Sequence, residues 1–256
     1  MGTDTLSRRK MLAGTGAILA TIPGCVTSAG GKEITETEVR RFDVSAETTL
    51  AVDNVNGAVT VEATTGEEMT VKIERTGTER ALDDVAVATT RENGRLELTT
   101  EADESDTAVP RVATVALTIR CPAGVVVDQV ATANGDITAR DVAGTVSLQT
   151  TNGAVEANGL EAVGDTTTAN GDIDVTVPAI NTDTRIDSTN GAITARLGPS
   201  LSADVTATTT EGSVTAEGGL GLSRGDNGLS GTLGEGTHDL AIETTTGDIR
   251  LAGASV

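Results

Sequence analysis

Three aspartates in this sequence occupy matching places. Asp136, Asp172 and Asp248 each follow a glycine and precede an isoleucine, as in Asn134-Gly135-Asp136-Ile137, Asn170-Gly171-Asp172-Ile173 and Thr246-Gly247-Asp248-Ile249. A line of carboxylates offers two chemistries. Several hard oxygen ligands can gather calcium, and two carboxyls at a fixed separation can hydrolyse a glycoside. Neither is expected here. The glycine-rich nonapeptide calcium repeat is absent, and sugar sites normally present aromatic platforms, whereas this protein has no Trp or Tyr. Turn-stabilising Asp on an acidic surface accounts for the pattern.

The other candidate groups are sparse. His238 is the single histidine, and no Gly-x-Ser-x-Gly elbow precedes it to supply a nucleophile for a triad. Cys121 sits on an apolar run before Pro122 and reads as a small buried hydrophobe. One histidine and no cysteine pair give zinc no tetrahedral ligand set. The sequence therefore assigns no catalytic residue, no metal and no cofactor, and the protein reads as a non-enzyme.

The same tetrads define the elements. Asn-Gly-(Ala/Asp)-(Ile/Val) recurs at Asn134-Gly135, Asn152-Gly153, Asn170-Gly171 and Asn190-Gly191, at intervals of 18, 18 and 20 residues. Asn56-Gly57 is an earlier copy, and Glu211-Gly212 and Thr246-Gly247 are degenerate later ones. Short alternating runs flank each corner, for example Ile173-Asp174-Val175-Thr176-Val177. Alternation at period two means strands with one buried face. Asn and Gly tolerate positive φ, so each corner is expected to be a sharp turn. The near-constant period favours an all-β, single-stranded β-solenoid (β-helix-like) with about 18–20 residues per coil, in which like residues stack and Asn side chains form a ladder. Five or six such coils make a rod of about 25–30 Å. A β-sandwich of hairpins is the alternative. Between residues 39 and 120 the strands are less regular, with Asn93-Gly94 as a hairpin turn, and they read as irregular first coils and a cap. Residues 121–256 hold the regular repeats, and 217–236 is expected to be a glycine-rich loop before the last coil.

Composition limits the partners. The net charge is −20, with 38 acidic and 18 basic residues, and only Lys10, Lys32 and Lys72 are lysines. No basic stripe follows residue 41, so nucleic acid is not an expected partner. A protein this acidic repels itself in dilute solution. In about 1 M salt the Debye length falls to about 3 Å and the repulsion is screened, so the composition suits an extreme halophile. Phe42 is the only aromatic residue, and the core must be built from Ala, Val, Ile, Leu and Thr.

The amino terminus reads as an address. Ser7-Arg8-Arg9-Lys10-Met11-Leu12 resembles a twin-arginine export signal through Arg8 and Arg9. The apolar run Met11–Ile22 is too short for a stable membrane span, which takes about 20 residues. Ile22-Pro23-Gly24-Cys25 resembles a lipobox, with Cys25 as the lipid attachment point. Two acyl tails anchor stably where one is marginal. Residues 1–24 are then the signal, 25–38 a lipid-anchored tether, and 39–256 the solenoid.

Leu117-Thr118-Ile119-Arg120-Cys121-Pro122-Ala123-Gly124, the Asn-Gly-Asp-Ile series after it, and the ending from Gly234-Glu235-Gly236 through Leu240–Leu251 together resemble the "putative adhesin" β-solenoid domain family. With the terminus and the charge, the whole is similar to a haloarchaeal twin-arginine lipoprotein. The resemblance implies a solenoid at the cell surface, on the outer face of the cytoplasmic membrane, in a structural or adhesive role. Its expected partners are the membrane through lipid on Cys25, and surface proteins or glycans. A glycan-binding or polysaccharide-acting β-helix module, and an envelope scaffold with a protein partner, are the alternatives.

Overall fold

The computed structural model describes residues 17–20, 33–45, 47–102, 113–225 and 228–254. Arg8, Arg9 and Cys25 lie outside the described residues. The first elements are β1 (Ala17–Ala20) and β2 (Ile34–Phe42), and the first coil is β3 (Thr49–Asn56) with β4 (Val59–Thr64). Then come β5 (Met69–Gly77), a short helix α1 (Glu79–Asp83) capped by the Thr78 hydroxyl, β6 (Val85–Glu92), β7 (Arg95–Ala102) and β8 (Thr114–Pro122). Regular coils follow: β9 (Val126–Asn134) with β10 (Ile137–Arg140), β11 (Thr145–Asn152) with β12 (Val155–Asn158), and β13 (Ala162–Asn170) with β14 (Ile173–Val177). Next are β15 (Thr184–Asn190) with β16 (Ile193–Leu197), and β17 (Ala203–Glu211) with β18 (Val214–Glu217). β19 (Ser223–Arg224) and β20 (Gly228–Leu233) form a hairpin, and β21 (His238–Thr246) with β22 (Ile249–Gly253) is the final coil.

Each regular coil places its longer strand in one sheet and its shorter strand in the other, with the Asn-Gly corner between. Both sheets have eleven strands. Ten spacings of about 4.8 Å make each sheet about 48 Å long, more than the five or six coils read from the clear tetrads alone. The extra length comes from the irregular strands, which extend both sheets. All the seams between regular coils are parallel, and Ile137, Val155, Ile173, Ile193 and Ile249 stand in one register. This is a solenoid and not a sandwich of hairpins.

Spatial order departs from sequence order at both ends. One sheet runs β8-β4-β10-β12-β14-β16-β22-β18, and the other runs β7-β3-β9-β11-β13-β15-β21-β17 in the same direction. The first coil in sequence therefore lies inside the coil formed by β7 and β8. The last coil in sequence likewise lies inside the coil formed by β17 and β18. Antiparallel strands finish the ends. β5 and β2 extend one sheet beyond β8, and β6 extends the other beyond β7. β1 pairs with Val39–Phe42 of β2. The segment read as a glycine-rich loop is instead structured at the far end, where β20 runs antiparallel along β17.

The interior is thin and aliphatic. Val59, Ile137, Val155, Ile173, Ile193, Ile249 and Val214 form one buried row. Val52, Val130, Leu148, Thr166, Ile186, Ile242 and Ala207 face them from the other sheet. A row of like aliphatics is what period-two strands produce when coils stack in register. The free edge of β6 is blunted by charge, as edge strands commonly are. Arg40 Nη1 donates to the Val87 carbonyl at 2.7 Å, and Arg75 Nη1 donates to the Val85 carbonyl at 3.4 Å.

Candidate functional site

The recurring corner is the most specific feature of the molecule. Register aligns Asn56, Asn134, Asn152, Asn170, Asn190, Thr246 and Glu211 along one edge of the stack. Asn152 Nδ2 donates to Asn134 Oδ1 at 2.8 Å, Asn170 to Asn152 at 2.9 Å, and Asn190 to Asn170 at 3.0 Å. These carboxamides thus form a continuous ladder on the exposed corner. The corner asparagines do not adopt positive φ: among the described residues only Asn93 and Asp141 do so without being glycine. The expectation of a left-handed Asn-Gly turn holds at the Asn93-Gly94 hairpin, where Glu92 pairs with Arg95, and not at the corners.

Glycine is required at the corner for a steric reason. Each Gly N–H donates to the carbonyl of the next level: Gly135 to Asn152 at 2.8 Å, Gly153 to Asn170 at 2.9 Å, Gly171 to Asn190 at 3.0 Å, and Gly247 to Glu211 at 2.9 Å. A Cβ on Gly153, Gly171 or Gly191 would fall well inside 3.0 Å of the glycine carbonyl of the preceding level. Those three glycines lie outside the left-handed range, so close backbone approach and not conformational freedom selects them.

A second ladder lies just inside the corner, and sequence reasoning missed it. Thr132, Thr150, Thr168, Ser188, Thr244 and Thr209 each donate a hydroxyl to a corner glycine carbonyl, at 2.9–3.1 Å. At Gly57, Asn54 Nδ2 adds a second donor at 2.9 Å. The signal was present as a hydroxyl residue two positions before every corner residue except Asn56, where Asn54 stands instead.

The aspartates serve the backbone. In spatial order the residue after each corner glycine runs Ala58, Asp136, Ala154, Asp172, Ala192, Asp248, Ser213. Oδ1 of Asp136 accepts the Ala154 N–H, that of Asp172 the Ala192 N–H, and that of Asp248 the Ser213 N–H, each at 2.8 Å. Carboxylates therefore recur at every second level, about 9.6 Å apart. That is about one Debye length at 0.1 M salt, so their mutual repulsion is small. It is also too far for two of them to share one ion at the 2.3–2.6 Å ligand distances typical of calcium. Among the described residues no group of three His, Cys, Asp or Glu side chains is placed to hold a metal. The Ser213 N–H and hydroxyl hold the Asp248 carboxyl below its ordinary range.

The remaining candidates are scattered. His238 Nδ1 is 3.8 Å from Asp183 Oδ1, while the nearby Ser202 hydroxyl is bonded to Thr237 at 2.8 Å. Cys121 is buried and free, and burial pushes its thiol up to about 12, so it is protonated and not nucleophilic at neutral pH. The outer face of the longer-stranded sheet carries two shallow grooves. One, of about 430 Å³, is lined by Arg185, Asp187, Thr208, Thr210, Glu243 and Thr245. The other, of about 360 Å³, is lined by Asp53, Val55, Ala131, Ala133, Thr151 and Thr167. In the first, Arg185 is committed to Glu243 at 2.6 Å and Asp187 at 3.1 Å. On the opposite face, Arg120 pairs with Glu62 at 2.7 Å, Arg140 with Glu156 at 2.8 Å, and Arg196 with Asp174.

Comparison with known proteins gives the same architecture. The protein is similar to the crystal structure of a "putative cell adhesion protein" from Clostridium sporogenes. That match has 13% identity and a TM-score of 0.55, and covers 86% of this chain and 100% of the other. A "putative adhesin" from Bacteroides fragilis is similar at 13% identity and a TM-score of 0.45, covering 84% of this chain and 97% of the other. No curated protein matches significantly. The Toastrack DUF4097 family model matches residues 49–252, from the first coil to the last, and the protein belongs to that family.

Proposed function

We propose that this is an exported, lipid-anchored surface protein of a halophile, and that its solenoid is a non-enzymatic spacer and adhesion element. The observation that carries the reading is where the polypeptide enters the fold. β2, the first strand after Cys25, takes in the last residues read as tether from Ile34 and lies at one end of the stack, beyond β8 and β5. Cleavage before Cys25 would remove β1 (Ala17–Ala20), and a lipid on Cys25 would then hold the remaining stack by the end that β2 forms. The glycine-rich hairpin β19–β20 would lie at the far end, clear of the membrane.

Other features agree with this role. The candidate groups for chemistry are dispersed, and the aspartates are engaged with backbone. The outer faces carry threonine and paired charges, which favour polar or cation-mediated contact. The Clostridium sporogenes protein of the same fold is described as a "putative cell adhesion protein", which supports a surface role. Without residues 1–24 the net charge becomes −22, which suits molar salt.

The test is binding of residues 26–256 to intact cells and to extracted surface polysaccharide in molar salt, with and without a chelator. Saturable binding with the glycan left intact is expected. Glycan breakdown would replace this reading with a polysaccharide-acting module. Absence of binding to both would favour a scaffold that works through one membrane partner.

A further inference from the structure

Asn-Gly is the dipeptide most prone to spontaneous deamidation, because glycine leaves its backbone nitrogen unshielded. The sequence contains eight such dipeptides, at Asn56, Asn93, Asn134, Asn152, Asn158, Asn170, Asn190 and Asn227. A protein held outside the cell is expected to be turned over slowly, so their fate matters. Asn227 lies outside the described residues, and the structure divides the other seven.

At five of them the reacting atoms are committed. The nitrogens of Gly57, Gly135, Gly153, Gly171 and Gly191 each donate to a carbonyl of the adjacent level, at 2.6–3.0 Å. The carboxamides of Asn134, Asn152, Asn170 and Asn190 are joined in the ladder, and Asn56 Nδ2 donates to the Ala113 carbonyl at 3.0 Å. Attack by the glycine nitrogen would first break an inter-level bond inside a packed stack, which requires the corner to open. At Asn158 the carboxamide is also held, accepting from Thr176 Oγ1 at 3.0 Å and donating to Glu156 at 3.4 Å.

Asn93 is different. It is exposed, as is Gly94, and it sits at the tip of the β6–β7 hairpin with φ +50°. Among the described residues its side chain makes no hydrogen bond, and the Gly94 nitrogen donates to no backbone carbonyl outside the strands.

We infer that, among the described residues, Asn93 is the deamidation site of the folded protein and that stacking protects the corner asparagines. The Gly94 nitrogen attacks Asn93 Cγ and forms a new bond to it. The bond from Cγ to Nδ2 breaks, and Nδ2 leaves as ammonia with the proton from the attacking nitrogen. Water then opens the succinimide at either carbonyl, giving aspartate or isoaspartate. No oxidant or reductant is involved. Isoaspartate adds a methylene to the backbone of a two-residue turn whose register is set by Glu92 opposite Arg95, so the product loosens the β6 end of the stack.

The experiment is to incubate the full-length protein in molar salt at mildly alkaline pH, then follow the mass gain of about 1 Da by peptide mapping. A parallel sample is held in denaturant. In the folded protein the Asn93 peptide converts about a hundredfold or more faster than the peptides carrying Asn134, Asn152, Asn170 and Asn190, because reaction at the corners requires local opening. In denaturant the rates converge. Corner conversion within about tenfold of Asn93 in the folded state would overturn the inference. So would an unmodified Asn93 in the folded state, or corner peptides that remain slow in denaturant.

Discussion

Removing the C-terminal strands of a simple solenoid trims its end, but here it removes an internal level. The perturbation is a stop after Thr237. It deletes β21 and β22, and with them Leu240, Ile242, Ile249 and Leu251, all completely buried. At about 1.5–3 kcal/mol for each fully buried aliphatic side chain, the loss is about 6–12 kcal/mol, an upper estimate because the unfolded polypeptide is partly compact. A domain has only about 5–15 kcal/mol in total. The bonds from Gly191 N to the Thr246 carbonyl and from Ile193 N to the Asp248 carbonyl, both 2.9 Å, go as well. Closing the gap would set Ala207 on Ile186 and Ser213 on Ala192, leaving the Ser213 N–H without a carboxylate. The protein lacks Trp and Tyr, so the assay is urea unfolding followed by far-UV circular dichroism in molar salt. Loss of cooperative folding, or a drop of at least about 6 kcal/mol, is expected. A truncated protein unfolding within about 2 kcal/mol of the full-length one would refute the reasoning.

Further outcomes follow from the corner. Gly171→Ala drives a Cβ against the Gly153 carbonyl, and a destabilisation of about 2–4 kcal/mol, or about 4–16 °C in Tm, is expected by thermal denaturation. Thr168→Val keeps the shape but leaves the Gly153 carbonyl without its hydroxyl donor, at a cost of about 1–3 kcal/mol in urea titration. Asn170→Ala breaks two exposed ladder bonds, and the same titration should read about 1–2 kcal/mol. The Asp248 carboxyl is depressed by its bonds to Ser213, so the unfolded state binds its proton at higher pH than the native one. That contribution is present above the ordinary Asp range and is lost as pH falls below about 4. Asp248→Asn should therefore flatten the acid limb of stability against pH. Dilution from molar salt should lower Tm through self-repulsion of the acidic surface.

Much of this fold could be read from side-chain periodicity. The 18–20 residue spacing of Asn134, Asn152, Asn170 and Asn190 is the coil length, and alternation at Ile173–Val177 or Ile193–Leu197 marks which residues face inward. Coil order could not be read the same way. Thr209-x-Glu211-Gly212 and Thr244-x-Thr246-Gly247 carry the same hydroxyl and glycine, so either could stack on Asn190-Gly191. The discriminating feature is the residue after glycine. Placing Asp248 between Ala192 and Ser213 continues the alternation of carboxylate and small residue, and gives the Ser213 N–H an acceptor. Sequence order would break both. The corner itself was legible as Asn-Gly, but its physics was not. Asn93 takes positive φ in an isolated turn, whereas the corner asparagines do not, and Gly153, Gly171 and Gly191 are selected by contacts with residues about 18–20 positions away. The hydroxyl ladder was overlooked because threonine abundance is already explained by strand propensity.

A rod held to the membrane by one end is tested most directly at Cys25. The measurement is the distribution of wild-type and Cys25→Ser protein between membrane and medium after fractionation of cells in molar salt. Wild-type protein is expected in the membrane fraction, with the variant released, folded, into the medium. Persistent membrane attachment of the Cys25→Ser protein would contradict a lipid anchor at that residue.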